Sequence, residues 1–284
     1  MYILFYGNCQ SKAVCKTLNL DEINMFNIEC YKTDISKKGF DEMIQKCDLI
    51  ITQPISDNYR NKDYLSTSYI IKNARKDCKI IIFDSCYLDF YYFDLTYKKI
   101  DGVSLNEPND YHYNKMIECY QDNKSITYYI EHYVNNVKLK TSKELETIAE
   151  NSFIKLRERN TNTKNKYVGN NVFIISIYEF IKNNYKDKLL FYSMNHPTKY
   201  LLQFICEQIV SILKIKNTIN YDIDVLNTGP KCIIYKCIQQ NVNFDISLHL
   251  PLLLQKKDVY EITQLYYDAY NKNNSFLPTS FIFN

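Results

Sequence analysis

Short runs of apolar residues alternate with amphipathic stretches from Tyr2 to Asp84. Tyr2–Tyr6, Met25–Tyr31, Asp48–Pro54 and Lys79–Asp84 predict strands, and Ser11–Leu18, Phe40–Gln45 and Tyr64–Ala74 predict helices between them. Strands that read as unbroken apolar runs are covered on both faces, which is the signature of a parallel sheet wrapped by crossover helices. The expected fold class is therefore α/β. An N-terminal Rossmann- or flavodoxin-like parallel sheet flanked by helices, with right-handed crossovers, precedes a mainly helical C-terminal half.

From about Asp110 the spacing predicts helices over Tyr111–Gln121, Ile126–Val134, Ser142–Arg159 and Val172–Asn184. A late strand over Lys188–Tyr192 and a helix over Pro197–Leu213 follow. Asp222–Leu226 and Lys231–Cys237 read as strands, and Val259–Tyr270 as a helix. The polar run Asn160–Lys166 reads as a surface loop between helices. No internal repeat interrupts the chain. Residues 1–284 are expected to form one domain, with a sheet part over 1–105 and a helical part over 106–284 that contributes the late strand and the turn at His196.

Bulk composition narrows the function classes only a little. The 284 residues suffice for a sizeable core, and 46% hydrophobic with 24% charged residues is an ordinary globular balance. A net charge of +3 gives no ground for a nucleic-acid partner, although it tolerates a small polyanion. The 27 tyrosines read as the bias of an AT-rich genome. The ten cysteines are scattered, none in a CxxC pair, and several lie in apolar runs, which fits small core residues in a reducing compartment. Neither Cys nor His shows metal-ligand spacing. With no leader-like N-terminus and no apolar stretch of about 18 residues, the expectation is a soluble, cytoplasmic protein without membrane insertion.

Ligands of open parallel sheets bind beyond the carboxyl ends of the strands. Four clusters fall at predicted strand ends: Gly7-Asn8-Cys9-Gln10, Gln53-Pro54, Asp84-Ser85-Cys86, and Ser193 to Thr198. If all four strands are parallel, these clusters converge on one edge. Cys9 stands where a strand stops at Gly7 and a helix begins, so the helix N-terminus is expected to ease its ionisation. His196 sits in a second strand-to-helix turn, beside Asn195, and either partners the thiol as a base or merely caps its helix. Asn8, Gln10 and the backbone N–H groups from Gly7 onward either hold an oxyanion or only shape the turn. Gln53 either bonds a ligand or ends its strand. Lys12, in the first turn of the Cys9 helix, and Arg157 are candidate phosphate contacts, with complementation of the helix dipole as the alternative for Arg157. His112 is either a ligand contact or part of a polar helix start. His132 and His249 read as structural.

The ordered set Gly7-Asn8-Cys9-Gln10, Gln53-Pro54-Ile55 and Asn195-His196-Pro197-Thr198 resembles the WcbI-type polysaccharide biosynthesis proteins over roughly residues 1–215. Asp110-Tyr111-His112, Leu156-Arg157-Glu158 and the aromatic stretch Phe83–Tyr97 also resemble that family, which differs in placing an acidic residue where Tyr113 stands. The resemblance implies a coenzyme A-binding acetyltransferase of capsule or surface-glycan assembly. It implies Cys9 and His196 as the reactive pair, with Asn8, Gln10 and Gln53 lining the pocket and His112 and Arg157 as further pocket residues. Acetyl transfer from acetyl-coenzyme A to a sugar hydroxyl or amine, on a sugar, sugar-nucleotide or glycan acceptor, is the leading expectation. A glycan esterase or deacetylase using the same Cys/His pair, or a non-catalytic coenzyme- or nucleotide-binding module, are the alternatives.

Overall fold

The computed structural model describes residues 1–20, 24–32, 34–98, 110–216, 219–228, 232–246 and 257–273. Its first element is the strand Tyr2–Gly7 (β1), followed by the helix Cys9–Thr17 (α1), the strand Asn24–Glu29 (β2) and the helix Lys37–Lys46 (α2). Leu49–Thr52 (β3), Thr67–Asn73 (α3) and Lys79–Phe83 (β4) complete the alternating region. Side-chain oxygens cap the three helices: Asn8 accepts from Gln10 N, Ser36 from Gly39 N and Ser66 from Tyr69 N. Next come Leu95–Tyr97 (β5) and Tyr111–Tyr113 (β6), which pair antiparallel, then Asn114–Gln121 (α4) and Ile126–Tyr129 (α5). The later elements are Ser142–Lys166 (α6), Val172–Ile175 (β7), Tyr178–Asn184 (α7), Phe191–Ser193 (β8), Lys199–Leu213 (α8), Lys236–Gln239 (α9) and Val259–Asn271 (α10).

Five strands form one parallel sheet in the order β2-β1-β3-β4-β7. The chain leaves β1 towards β2 on one side and returns to β3 on the other, so the strand order reverses between β1 and β3. Register aligns the carboxyl ends: Gly7 faces Glu29, Tyr6 faces Thr52, Thr52 faces Ile82 and Phe83 faces Ile175. On one face Leu4, Tyr6, Ile50, Ile80 and Ile82 pack with Phe40 and Ile44 of α2 and Ile70 of α3. Strand alternation turns Ile3 and Phe5 to the opposite face, and there α1 packs against α8, with Cys206 Sγ 3.8 Å from Val14 O. Each fully buried Leu, Ile or Phe contributes on the order of 1.5–3 kcal/mol, so the two layers hold the strand ends as a rigid platform.

The chain divides into two compact units. The first comprises Met1–Tyr87, Phe153–Asn184 and Asn195–Thr228 and contains the whole parallel sheet; the second comprises Leu88–Ser152, Tyr185–Met194 and Gly229–Asn284. The second unit is helix-rich and centred on tyrosines. Tyr235 OH donates to buried Asp94 at 2.6 Å, Tyr129 and Tyr235 hydroxyls lie 2.9 Å apart, and Tyr92 OH donates to Phe191 O. A tyrosine fills apolar volume and still needs a polar partner at its tip. These residues have both.

Several sequence expectations are corrected. Val172–Asn184 is not one helix: its first part is β7, the fifth sheet strand, and α7 begins only at Tyr178. The expected helix over Tyr111–Gln121 begins as β6 and becomes helical at Asn114. Asn160–Lys166 is the last part of α6 rather than a loop, because Asn160 and Thr163 are buried on its inner side. The late strand is short, lies in the second unit and is not a member of the parallel sheet. A 3-10 turn at Val225–Thr228 replaces the strand expected over Asp222–Leu226. Cys232–Tyr235 precedes α9 without strand pairing, while Lys231 and His249 lie outside the described residues. All ten cysteines are free, and among the described residues no helix is long and apolar enough to cross a membrane.

Candidate active site

At the end of β1 the backbone comes so close to Gln53 that a Cβ on Gly7 would meet Gln53 Oε1 at 2.5 Å and Ser11 Cβ at 2.9 Å. Only glycine fits. Asn8 then adopts extended backbone angles as the N-cap of α1: its Oδ1 accepts from Gln10 N at 2.8 Å and its own N–H donates to Gln53 Oε1 at 2.9 Å. Both groups serve the turn, so of the two readings of Asn8 the turn-shaping one describes the observed bonds.

Cys9 is the first helical residue and is partly exposed. Its thiol is not eased towards ionisation as the helix N-terminus suggested. Burial pushes it up to about 11, and the Glu29 carboxylate adds to the rise. The Lys32 charge and the backbone N–H groups of Cys9 and Gln10 act in the opposite direction without overcoming it. Desolvation of a thiolate outweighs a terminal helix dipole here.

The next residue organises the surroundings. Gln10 is buried, and its Oε1 accepts from Gln53 Nε2 at 2.8 Å and from Cys86 N at 2.9 Å. Its Nε2 donates to Cys86 O at 3.0 Å and to Asn195 O at 2.7 Å. Gln53, also buried, spends its amide on Asn8 N, Gln10 and Ser85 Oγ. Every polar atom of Gln10 thus works inside the protein, and both glutamines position neighbours where pocket-lining ligand contacts were expected. The consequence is spatial: the ends of β1, β3 and β4 and the turn carrying Asn195 and His196 are tied together by one side chain. The four strand-end clusters do converge, but the fourth arrives through the Asn195 carbonyl and not as a parallel strand. His196 is buried just after the turn at Asn195, in the short extended segment His196–Pro197, and Thr198 is the N-cap of α8.

Glu29 was not among the sequence candidates. Its placement follows from register, since it pairs with Gly7 across β1 and β2. Burial would raise the Glu29 carboxyl, but Lys32 Nζ at 3.0 Å, the Tyr31 hydroxyl donating at 3.1 Å and Lys12 Nζ at 3.7 Å together hold it below the usual range. Lys12, in the first turn of α1, thus shares its charge with an acid that no local motif announces.

A second feature lies beyond β3 and β4. A cavity of about 360 Å³ is lined by Asp84 and Ser85 from the end of β4, by Arg159, Asn162 and Lys166 from α6, and by Tyr167. Asp84 is 4% exposed, and Asn160 Nδ2 donates to its Oδ2 at 2.9 Å. Burial raises Asp84 to about 6, with Asn160, the Ile177 backbone and the charges of Lys164 and Arg159 acting against the rise. Its Oδ1 makes no hydrogen bond of ordinary geometry within the described residues. The Asp84-Ser85-Cys86 cluster was legible at its strand end; the helix that covers it was not.

Two further candidates lie elsewhere. His112 belongs to the second unit, fully buried between Tyr266 and Tyr270, with Nδ1 2.9 Å from Tyr270 OH. Burial lowers it to about 4, so it is a neutral core histidine in strand β6 and not a residue of a polar helix start. Contact with a ligand would require that aromatic cluster to open. Arg157 donates to Tyr178 OH at 2.5 Å and its guanidinium lies 4.9 Å from that ring centre, which orients it against α7. Its side chain stays exposed and lines a cavity of about 380 Å³ with Glu158, Thr161 and Asn162. His132 stacks on Tyr128 at the surface, as a structural residue would. No cluster of metal-ligating side chains occurs among the described residues.

Among proteins of known structure, the chain is similar to WcbI, a polysaccharide biosynthesis enzyme described as the native protein without a disulfide bond between coenzyme A and a cysteine of that protein. The two share 19% identity over 97% of this chain and 96% of that one, with a TM-score of 0.67, and this likeness establishes the common fold. A flavodoxin-like domain from Synechococcus sp. matches more distantly, at 14% identity over 29% of this chain and 57% of its own, with a TM-score of 0.24. No curated protein matches. The family described as polysaccharide biosynthesis enzyme WcbI matches residues 2–218, a span that holds the whole parallel sheet, Cys9 and His196. The chain therefore belongs to the WcbI family of polysaccharide biosynthesis enzymes.

Proposed function

We propose that this enzyme transfers an acetyl group from acetyl-coenzyme A to a hydroxyl or amine of a sugar, sugar nucleotide or glycan during surface-polysaccharide synthesis. The observation that carries the reading is the pair of Gln10 bonds to Cys86 and Asn195, which hold the Cys9 turn and the His196 turn against each other at the strand-order reversal. The coenzyme A named with the WcbI structure supports a coenzyme A thioester as donor. Lys12 and Lys32 are cations of the kind that meet its phosphates, with Glu29 tempering their charge.

A thiol held near 11 rests protonated, so Cys9 needs a base at the moment of attack. His196 accepts the Sγ proton as sulfur bonds to the acetyl carbon, and returns that proton to the departing coenzyme A sulfur. The acceptor hydroxyl then attacks the acetyl-cysteine, its proton passing through His196 to Cys9 Sγ. The Cys9 backbone N–H, which favours negative charge at Sγ, is the donor for the developing oxyanion, while the Gln10 N–H is already given to Asn8 Oδ1. In the direct alternative His196 deprotonates the acceptor and Cys9 only shapes the site.

Rapid-quench mass spectrometry with acetyl-coenzyme A tests the covalent route: a Cys9 peptide carrying one acetyl group is expected, and full activity of Cys9→Ser would eliminate it. Coenzyme A is expected to raise the melting temperature by mass action. No shift with any coenzyme A species, together with acetate release from acetylated sugars, would replace acetyl transfer by the esterase reading.

A further inference from the structure

The parallel sheet carries cations at two separate places along its carboxyl edge. Lys12 and Lys32 gather around Glu29 at the end of β2, on one side of the Cys9 strand. On the other side, the cavity of about 360 Å³ over the ends of β3 and β4 has Arg159 and Lys166 in its lining. Its volume is in the range of small-molecule sites. Pro54, just beyond β3, forms part of its wall, and Ser85 ties it to the Cys9 network by accepting from Gln53 at 3.3 Å. Neighbouring strands lie about 4.8 Å apart, so β4 ends about 10 Å from β1. A sugar ring with a phosphate attached spans that distance.

The lining is rich in donors. Arg159 is exposed and has no ion pair or hydrogen bond within the described residues; its guanidinium lies over the Tyr87 ring, 5.4 Å from the centre. Stacking uses the face of that group and leaves its N–H edge for another partner, and a phosphate accepts two such N–H groups side by side. The Ser85 hydroxyl accepts from Gln53 and gives its proton to no described residue. Ser56 and Asn162, both exposed, add a hydroxyl and an amide. Lys166 shares its charge with Asp57 at 2.8 Å. The one carboxylate among the lining residues is Asp84; Asn160 and the Ile177 backbone bond it, and its Oδ1 is closed to the cavity. Its charge acts on Arg159 and Lys164 through the wall and presents no acceptor to a ligand. An unpaired guanidinium with hydroxyl and amide donors, and no open carboxylate, suits a phosphate better than a neutral ring.

We infer that this cavity binds the phosphate of a phosphorylated acceptor, a sugar phosphate or sugar nucleotide, with Arg159 as its bidentate contact and Ser85 as a hydroxyl donor. Donor and acceptor phosphates then lie on opposite sides of Cys9, the coenzyme's towards β2 and the acceptor's over β4, and the sugar hydroxyl comes between them. Calling the ligand an acceptor rests on the acetyl-transfer reading; the phosphate site itself does not.

Titration of inorganic pyrophosphate into the full-length protein by calorimetry at pH 7.5, with and without saturating coenzyme A, tests it. Pyrophosphate should bind in both conditions. With coenzyme A present, Arg159→Gln should weaken it about tenfold or more, and Asn162→Trp, at an exposed position of the lining, should abolish it. Coenzyme A affinity should stay unchanged in both variants. Should Arg159→Gln not fold, Asn162→Trp alone decides. Loss of pyrophosphate binding once coenzyme A is present, or native-like binding in either variant, would overturn the site. Weaker coenzyme A binding in Arg159→Gln would overturn it too, by giving the cavity to the coenzyme's own phosphates. Hexose 1-phosphates and the matching methyl glycosides, offered with acetyl-coenzyme A, complete the test. Transfer to the glycosides alone would remove the phosphorylated acceptor. Pyrophosphate binding that follows these variants, with no transfer to any of the sugars, would sink the proposed reaction and leave the phosphate site standing.

Discussion

The side-chain amide of Gln10 donates to the carbonyl oxygen of Asn195 at 2.7 Å, across 185 positions of sequence. A glutamine next to the thiol thereby holds the backbone next to the imidazole. Its other bonds, to Cys86 and Gln53, leave it no capacity for a ligand.

Replacing Gln10 with Ala should therefore strand the Cys86 N–H and the Gln53 amide in the interior. The expected loss is about 3 kcal/mol in unfolding free energy, with activity falling further because the His196 turn loses its tether. Urea denaturation of the intact chain measures it; a loss below about 1 kcal/mol would show that the network is replaceable.

Gly7→Ala should cost about 1–3 kcal/mol by overpacking, since its new methyl meets Gln53 Oε1. The same change in a Gln53→Ala background should cost less, because the obstructing amide is gone. A double-mutant cycle with no coupling between the two positions would contradict the close approach.

With its thiol near 11, Cys9 should react slowly with iodoacetamide at pH 7.5, and faster by about tenfold for each pH unit up to that value. Glu29→Gln removes the neighbouring negative charge and frees Lys12 and Lys32, so Cys9 alkylation should rise several-fold. Peptide mapping separates Cys9 from the partly exposed Cys15. An unchanged rate in Glu29→Gln would mean that burial alone sets the thiol.

Asp84 titrates near 6 in the folded protein, against about 4 in an unfolded chain. The folded state holds the extra proton between those values. Its contribution to stability is complete below pH 4 and is lost as pH rises through 6, a difference of about 2–3 kcal/mol. Unfolding free energies of Asp84→Asn minus those of the native protein should therefore climb between pH 4 and 7. Taking this difference cancels Asp94, which shifts in the same direction, and His112, which shifts in the opposite one. A flat difference would place Asp84 in water.

The central strands were legible because burial on both faces leaves unbroken apolar runs, as in Ile80, Ile81 and Ile82. β7 was not, because Val172–Ile175 runs on through Ile177, Phe180 and Ile181 with no glycine or proline to divide strand from helix. The end of α6 was hidden for the opposite reason. Its buried face continues from Leu156 through Asn160 and Thr163, so the helical period survives while its hydrophobic signal disappears. Those polar residues are where the helix meets Asp84 and the cavity beside it, so the element that looked least structured forms a wall of that cavity. Cys9, Gln10, Gln53 and Asn195 were found from strand ends. Glu29 needed the register of a neighbouring strand, and no spacing along the chain reveals that.

Interleaving of the two units has a bearing on how the protein is made. Both units use segments from either side of residue 184, and the sheet takes its last edge strand from Val172–Ile175, after the polypeptide has already supplied Leu88–Ser152 to the other unit. During synthesis, β4 emerges with one side unpaired and waits for its neighbour while many residues are translated. The nascent chain must shelter that edge, and no contiguous fragment ending before β7 can be expected to stand in for the first unit.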